Sequence, residues 1–106
     1  MIPEQININE DNYIRIDDVV AADDASYVTS GTASMTLKDA AGNEAIAATA
    51  MSYVSGTNGS WAGTFDKTQT ASLVDGTQYF LEVTITSNGK DGFRRIPIKA
   101  GYHGLR

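Results

Sequence analysis

Few residues of this 106-residue chain carry side chains suited to acid–base or nucleophilic chemistry. His103 is the only histidine and there is no cysteine, so thiolate metal sites and Cys–His pairs lack their parts. A Ser–His–Asp triad would have to use His103, which lies in the last few residues. The sequence contains no phosphate-binding glycine loop, dinucleotide motif or nucleophile elbow. We therefore predict a protein that is not an enzyme and that needs no cofactor and no metal.

Acidic residues form a cluster early in the chain, and their oxygens are the type of ligand that Ca²⁺ takes. The alternating Asp/Asn spacing of a calcium loop is missing, and adjacent Asp pairs do not converge easily on one ion. We interpret the cluster as a solvated acidic loop, with a calcium site as the open alternative. Its members are Glu10, Asp11, Asp17, Asp18, Asp23 and Asp24.

Length and charge exclude several classes of protein. The chain has the size of one domain, and its net charge of −5 disfavours nucleic acid and anionic membranes as partners. No apolar run approaches the roughly 20 residues that a membrane-spanning helix needs. The first residues lack a basic start and an apolar segment, so no signal peptide is expected.

The clearest structural signal is a β-hairpin near the end of the chain. In residues 78–87, large apolar residues alternate with polar ones, which is the pattern of a half-buried strand. A second extended run, residues 93–100, places Ile96 and Ile98 on one face. Between the two runs, Asn-Gly and Asp-Gly pairs supply residues that accept a positive φ.

The residues just before this hairpin predict a tyrosine corner of the kind found in immunoglobulin-like sandwiches. Asp75 and Gly76 form the turn, and Tyr79 follows near the start of the strand. We expect Tyr79 to be buried, with its hydroxyl bonded to backbone within residues 73–76. Trp61 is the expected large aromatic residue of the core.

Further extended runs at residues 12–17, 32–37, 45–54 and 61–65 are joined by glycine-rich turns, and the run at 45–54 is expected to be kinked or split in two. The fold class predicted from this spacing is an all-β, immunoglobulin-like sandwich of about seven antiparallel strands. A small closed barrel is the alternative. Residues 1–11 are expected to form an N-terminal arm or edge strand, residues 12–100 the sandwich, and residues 101–106 a C-terminal tail.

Several residues are candidates for contacts with a partner. Arg94 and Arg95 either cover the rim of the core or form salt bridges with a neighbouring subunit. Pro97 removes a backbone donor, which favours an edge position for its strand. Apolar residues of the two terminal segments complete the candidate set, namely Ile2, Ile6, Ile8 and Tyr102.

The aromatic residues have two possible roles. Most of them have the spacing of core residues in strands, which is the interpretation we adopt. The alternative is a planar platform for stacking sugars, as in carbohydrate-binding modules. The set comprises Tyr13, Tyr27, Tyr53, Trp61, Phe80 and Phe93.

Six stretches spread over nearly the whole chain together carry a resemblance to a known family. They are, in order, ININEDNYI (6–14), ASYV (25–28), ASMTLKDAAG (33–42), YVSGTNGSW (53–61), DGTQY (75–79) and RIPI (95–98). In their order and spacing the chain resembles a family of small immunoglobulin-like proteins that are encoded in the structural gene clusters of tailed bacteriophages and prophages. The tail, GYHGLR (101–106), has no counterpart in that family.

The resemblance implies a non-enzymatic virion structural protein, either a capsid decoration or cement protein or a head–tail accessory subunit. It would be assembled in the host bacterial cytoplasm. It would dock in many copies, or as a homo-oligomer, onto capsid or neck subunits through its termini and sheet edges. The alternative is a module that binds the host surface or a carbohydrate through the loops at residues 17–30, 55–60 and 87–92.

Overall fold

The computed structural model describes residues 5–20, 26–87 and 89–102, and within them the protein is all-β with one short helical turn. This confirms the predicted class of secondary structure, including the strand predicted over the alanine-rich residues 45–54. The elements are β1 (Gln5–Asn7), β2 (Asn12–Ile16), β3 (Thr32–Lys38), β4 (Glu44–Tyr53), β5 (Trp61–Phe65), α1 (Lys67–Thr70), β6 (Gln78–Ser87) and β7 (Lys90–Gly101).

The described strands form one mixed sheet in the order β1-β7-β6-β3-β4-β5-β2. The expectation that all strands are antiparallel is wrong at one position, because β1 pairs in parallel with β7 from Gln5 opposite Lys99 to Asn7 opposite Gly101. Parallel neighbours require a long connection rather than a tight turn, and here the whole intervening domain is that connection.

The predicted hairpin is present as β6 and β7, which pair from Gln78 opposite Lys99 to Ser87 opposite Lys90. On its other side β6 pairs with β3, so β6 lies in the interior of the sheet. The side chains of β6 alternate between the core and the outer face as its sequence predicts.

Strand β4 changes partners along its length. It pairs with β3 as far as Met51, and with β5 only through Ser52 and Tyr53. Register shifts in the β3–β4 pairing add local irregularity, which bends strands. The sheet therefore curls until its two outermost strands, β1 and β2, approach each other, and the molecule is nearly barrel-shaped.

The core lies inside this curled sheet. Trp61 is 2% exposed, and its indole Nε1 donates a hydrogen bond to the carbonyl of Val28 at 3.0 Å. The other fully buried large side chains come from almost every strand: Ile6, Ile8, Ile14, Ile16, Met35, Leu37, Phe65, Leu81 and Val83.

The hypothesis that Ile6 and Ile8 contact a partner is wrong for this fold. Their side chains are 0% and 2% exposed, because pairing with β7 turns Ile6 into the core and the backbone N–H of Ile8 bonds to the carbonyl of Gly101. Residues 5–8 therefore belong to the folded domain rather than to a free arm. Ile2, the third apolar residue of that predicted segment, lies outside the described residues.

Candidate interaction surfaces

The tyrosine corner anchors the connection into β6. Tyr79 is 5% exposed, and its hydroxyl accepts a hydrogen bond of 2.9 Å from the backbone N–H of Val74, inside the stretch where the sequence predicts its partner. Gly76 has a φ of 80° and donates its N–H to the carbonyl of Ala100 at 2.9 Å. Asp75 is exposed in the same turn. The corner fixes the turn against the end of β7, which is a structural role.

The two outermost strands are linked by the buried side chain of Asn12. Its Oδ1 accepts from the backbone N–H of Asn7 at 2.8 Å, and its Nδ2 donates to the carbonyl of Asn7 at 2.9 Å. The same Nδ2 also donates to the carbonyl of Glu10 at 3.0 Å. One amide therefore replaces a backbone ladder between β1 and β2, since it supplies both a donor and an acceptor.

The helical turn α1 begins with a capping box that the sequence analysis missed. The carboxylate of Asp66 accepts from the backbone N–H of Gln69 at 2.9 Å, and Gln69 Oε1 accepts from the N–H of Asp66 at 2.8 Å. Hydrogen bonds from the Thr68 hydroxyl and from the backbone N–H of Gln69 hold the pKa of the Asp66 carboxylate below its usual value. An Asp followed three residues later by Gln is the signal that would have predicted this turn.

The acidic cluster is spread over the surface in the described part of the chain. Asp17 accepts from Ser60 Oγ at 2.7 Å and from Arg15 Nε at 2.8 Å, and these bonds hold its pKa well below the usual value. Asp11 instead accepts from the backbone N–H of Lys67 at 2.8 Å.

Within residues 5–20, 26–87 and 89–102, no three acidic or histidine side chains gather in a geometry that would hold a metal ion. Asp23, Asp24 and His103 lie outside those ranges.

The outer face of β6 and β7 carries an ion-pair network. The guanidinium of Arg95 lies 3.9 Å above the centre of the Phe80 ring, and its Nε is 3.3 Å from one carboxylate oxygen of Glu82. The other oxygen of Glu82 is 3.1 Å from Lys38 Nζ. Arg95 thus forms its salt bridge within the chain, on the outer face and not at the rim of the core.

Arg94 occupies the opposite face of β7. It pairs in register with Val83, which is 1% exposed, so it belongs to the core-facing row of β7, yet Arg94 itself is exposed. It forms no salt bridge with any described residue. Tyr102, directly after β7, is 39% exposed, and its predicted contact with a partner stays a prediction.

The interpretation of the aromatic residues as mostly core residues is wrong for three of the six. Tyr13, Tyr27 and Phe93 are 60%, 48% and 61% exposed, whereas Tyr53 and Phe80 are half-buried and Trp61 is buried. Alternation within the strands explains two of these: Tyr13 precedes the buried Ile14, and Phe93 has the opposite parity to Ile98. That parity was present in the sequence and would have placed both side chains outside.

Comparisons with known proteins identify no relative of this chain. No protein-family model matches it, and searches of curated proteins and of solved structures find no match either. Among the described residues no helix has the length and apolarity needed to cross a lipid bilayer. The surfaces themselves therefore carry the functional argument.

Proposed function

We propose that the curled sheet is an immunoglobulin-like sandwich in which β4 crosses from one layer to the other. One layer would contain β1, β7, β6, β3 and the first part of β4, and the second would contain the end of β4 with β5 and β2. The support is the two-residue contact of β4 with β5 at Ser52 and Tyr53, together with the tyrosine corner at Tyr79.

An experimental structure tests this architecture. Extension of the β4–β5 ladder well beyond Ser52 and Tyr53, or a backbone ladder between β1 and β2 in place of the Asn12 amide, would favour the closed barrel. Two layers packed face to face at the usual separation of roughly 10 Å would support the sandwich.

We further propose that the protein is a non-enzymatic structural subunit of a bacteriophage virion, docked in many copies onto capsid or neck proteins. The observation that carries this proposal is the exposure of Tyr13 and Phe93, at 60% and 61%, on outward faces of well-paired strands. Rigid exposed aromatic side chains are enriched at protein–protein contacts, because they bury a large area at a small entropic cost.

Docking would use the outer faces and edges of the sheet. Residues 5–8 take no part as an extended arm, because Ile6 and Ile8 are committed to the core. Arg94, within β7, and Tyr102, directly after it, are both exposed and remain candidate contacts.

Quantitative mass spectrometry of purified particles tests the virion role. Wild-type protein is expected in particles in many copies, and its absence from them would overturn the proposal. A variant with Tyr13→Ser and Phe93→Ser should fold but be depleted from particles. The matched control Asn58→Ser changes an exposed loop residue and should be incorporated normally. Normal incorporation of the double variant would exclude these two side chains as the docking contact.

A second candidate, a host-surface glycan-binding module, is supported by one specific contact. The Tyr27 ring packs beside Gly59, where an added Cβ would lie 3.3 Å from the ring, so an exposed aromatic face adjoins the loop at residues 55–60. Glycan-array binding that Tyr27→Ala abolishes and that Tyr13→Ala leaves intact would favour this function over docking.

A further inference from the structure

Among the described residues, no strand pairs with the second edge of β7 along most of its length. The backbone N–H of Ala100 bonds to the carbonyl of Thr77, on the β6 side. Hydrogen-bonding directions alternate along a strand, so the odd-numbered residues of β7 direct their backbone groups to the opposite side. There, Ile8 N–H bonds to the carbonyl of Gly101, and β1 pairs only with Lys99–Gly101.

The open edge has clear limits. No described strand covers that side between the turn at Gly89 and Pro97. Pro97 lacks an N–H, so the edge stops offering donors just before β1 begins. The midpoint of the interval is Phe93. On either side of it, Asp91 and Arg95 also direct an N–H and a carbonyl outward, and such an unpaired row is a template for another strand.

We propose that two copies of this chain associate by antiparallel pairing of their β7 strands, with Phe93 opposite Phe93 of the second copy. Asp91 of each copy then lies opposite Arg95 of the other. These three positions exchange both backbone hydrogen bonds, so the sheet continues across a two-fold axis. Such an interface is isologous, with the same patch contributed by both copies.

The charges of β7 select this register. Centring the pair on residue 91 or residue 95 places two like charges directly opposite each other, which is destabilising. If the strand pair is centred on residue 92 or residue 94, Asp91 of one copy no longer lies opposite Arg95 of the other. Only the register centred on Phe93 forms both opposite-charge pairs and places the exposed Arg94 opposite Gly92 of the second copy, where no side chain interferes.

The side chains that pair are already held on one face. Asp91 accepts from Thr86 Oγ1 at 2.7 Å, and Arg95 is stacked on Phe80 beside Glu82. Phe93, between them, is 61% exposed and would bury its ring against its symmetry mate. This inference rests on the geometry of β7 alone. In such a dimer the Phe93 ring is covered, so docking onto another virion protein would use Tyr13.

A pair of charge variants tests both the interface and its register. In Asp91→Arg, two arginines oppose each other in the homodimer, and in Arg95→Asp, two aspartates do. Each variant alone should therefore self-associate about tenfold more weakly than wild type. In an equimolar mixture every opposite pair is again of unlike charge, so association should return to the wild-type level.

Sedimentation velocity from about 5 to about 500 µM protein measures these states, since a single strand pair makes a small interface. The matched controls Asp75→Arg and Lys67→Asp make the same charge changes at exposed positions away from the edge, and should associate as wild type does. Circular dichroism checks that each variant is folded.

A third variant keeps the test decisive if Arg95→Asp fails to fold. Phe93→Lys places two positive charges at the two-fold axis and leaves Asp91 and Arg95 in place, so it should also weaken association about tenfold. The proposal is overturned if wild type stays monomeric throughout the range, if Phe93→Lys associates as wild type does, or if the mixture of folded charge variants associates no more than either alone.

Discussion

The two halves of β7 lie in the same strand but in opposite environments. The C-terminal half, around Ile98 and Ala100, is buried and has strands on both sides, β6 on one and β1 on the other. The N-terminal half, from Asp91 to Arg95, is exposed and pairs only with β6 among the described strands. Pro97 lies at the boundary between the halves.

This difference indicates a division of roles along one strand. The covered half contributes apolar area and ladder bonds to the stability of the domain. In the open half, the backbone edge has no partner strand among the described residues, and the Phe93 side chain is exposed. Changes in the covered half should therefore alter the free energy of unfolding, and changes in the open half should alter association.

The largest expected effect separates the two halves directly. Ile98→Ala removes a side chain that is 2% exposed and should lower the free energy of unfolding by about 2 to 5 kcal/mol. Phe93→Ala removes a larger side chain that is 61% exposed and should change it by less than about 0.5 kcal/mol. Urea unfolding at low protein concentration measures both values, and similar losses would show that the halves do not differ in this way.

The next effect concerns the side-chain amide of Asn12, which links β1 to β2. Since β1 pairs with the C-terminal half of β7, this amide also helps to hold that covered half in place. Asn12→Ala leaves the N–H and carbonyl of Asn7 and the carbonyl of Glu10 without this partner. We expect a loss of about 2 to 3 kcal/mol by chemical unfolding. Asn58→Ala, at an exposed loop position, is the control and should be close to neutral. A small effect at Asn12 would mean that the edge is held by packing alone.

A smaller effect is expected at the tyrosine corner, which braces the covered half through Gly76 and Ala100. Tyr79→Phe removes the acceptor of the Val74 N–H and should cost about 1 kcal/mol. Tyr27→Phe removes an exposed hydroxyl and should be neutral. Equal melting temperatures for Tyr79→Phe and wild type would contradict the structural role assigned to this bond.

The smallest expected effect is a pH dependence at Asp17, which lies outside β7. Hydrogen bonds from Ser60 and Arg15 lower the pKa of Asp17 below its ordinary value of 3.8. Asp17 therefore stabilises the fold above that pH, and the contribution is lost as the pH falls through the lowered pKa.

Asp17→Asn should accordingly lower the urea midpoint at about pH 7, with a difference from wild type that shrinks at about pH 3. The neighbouring variant Asp18→Asn removes the same charge and serves as the control for the change in net charge. A constant difference between wild type and Asp17→Asn at both pH values would exclude this titration as its cause.

The parts of the fold that depend on local patterns could be predicted from the sequence. Alternation placed Leu37, Leu81 and Val83 in the core, and the spacing before Tyr79 predicted its backbone bond. These signals are local because the side-chain period of a strand and the chemistry of a turn are set by neighbouring residues.

Features that depend on distant pairing could not be predicted in this way. Nothing near Ile6 or Ile8 indicates that a strand more than ninety residues later covers them. The open edge of β7 was indicated only in part, through Pro97, because its extent depends on where β1 begins. The exposure of Phe93, by contrast, could have been predicted, because Phe93 has the opposite parity to Ile98 along the strand.

The parallel contact between β1 and β7 also affects how the chain folds. Closing a loop that contains nearly the whole described domain costs more entropy than forming any of the hairpins. During synthesis β7 leaves the ribosome long after β1, so Ile6 and Ile8 have no strand to cover them until the final hairpin is complete. A nascent chain of this protein therefore exposes these two isoleucines until β7 is made, and exposed apolar side chains on incomplete chains are the kind of surface that chaperones protect.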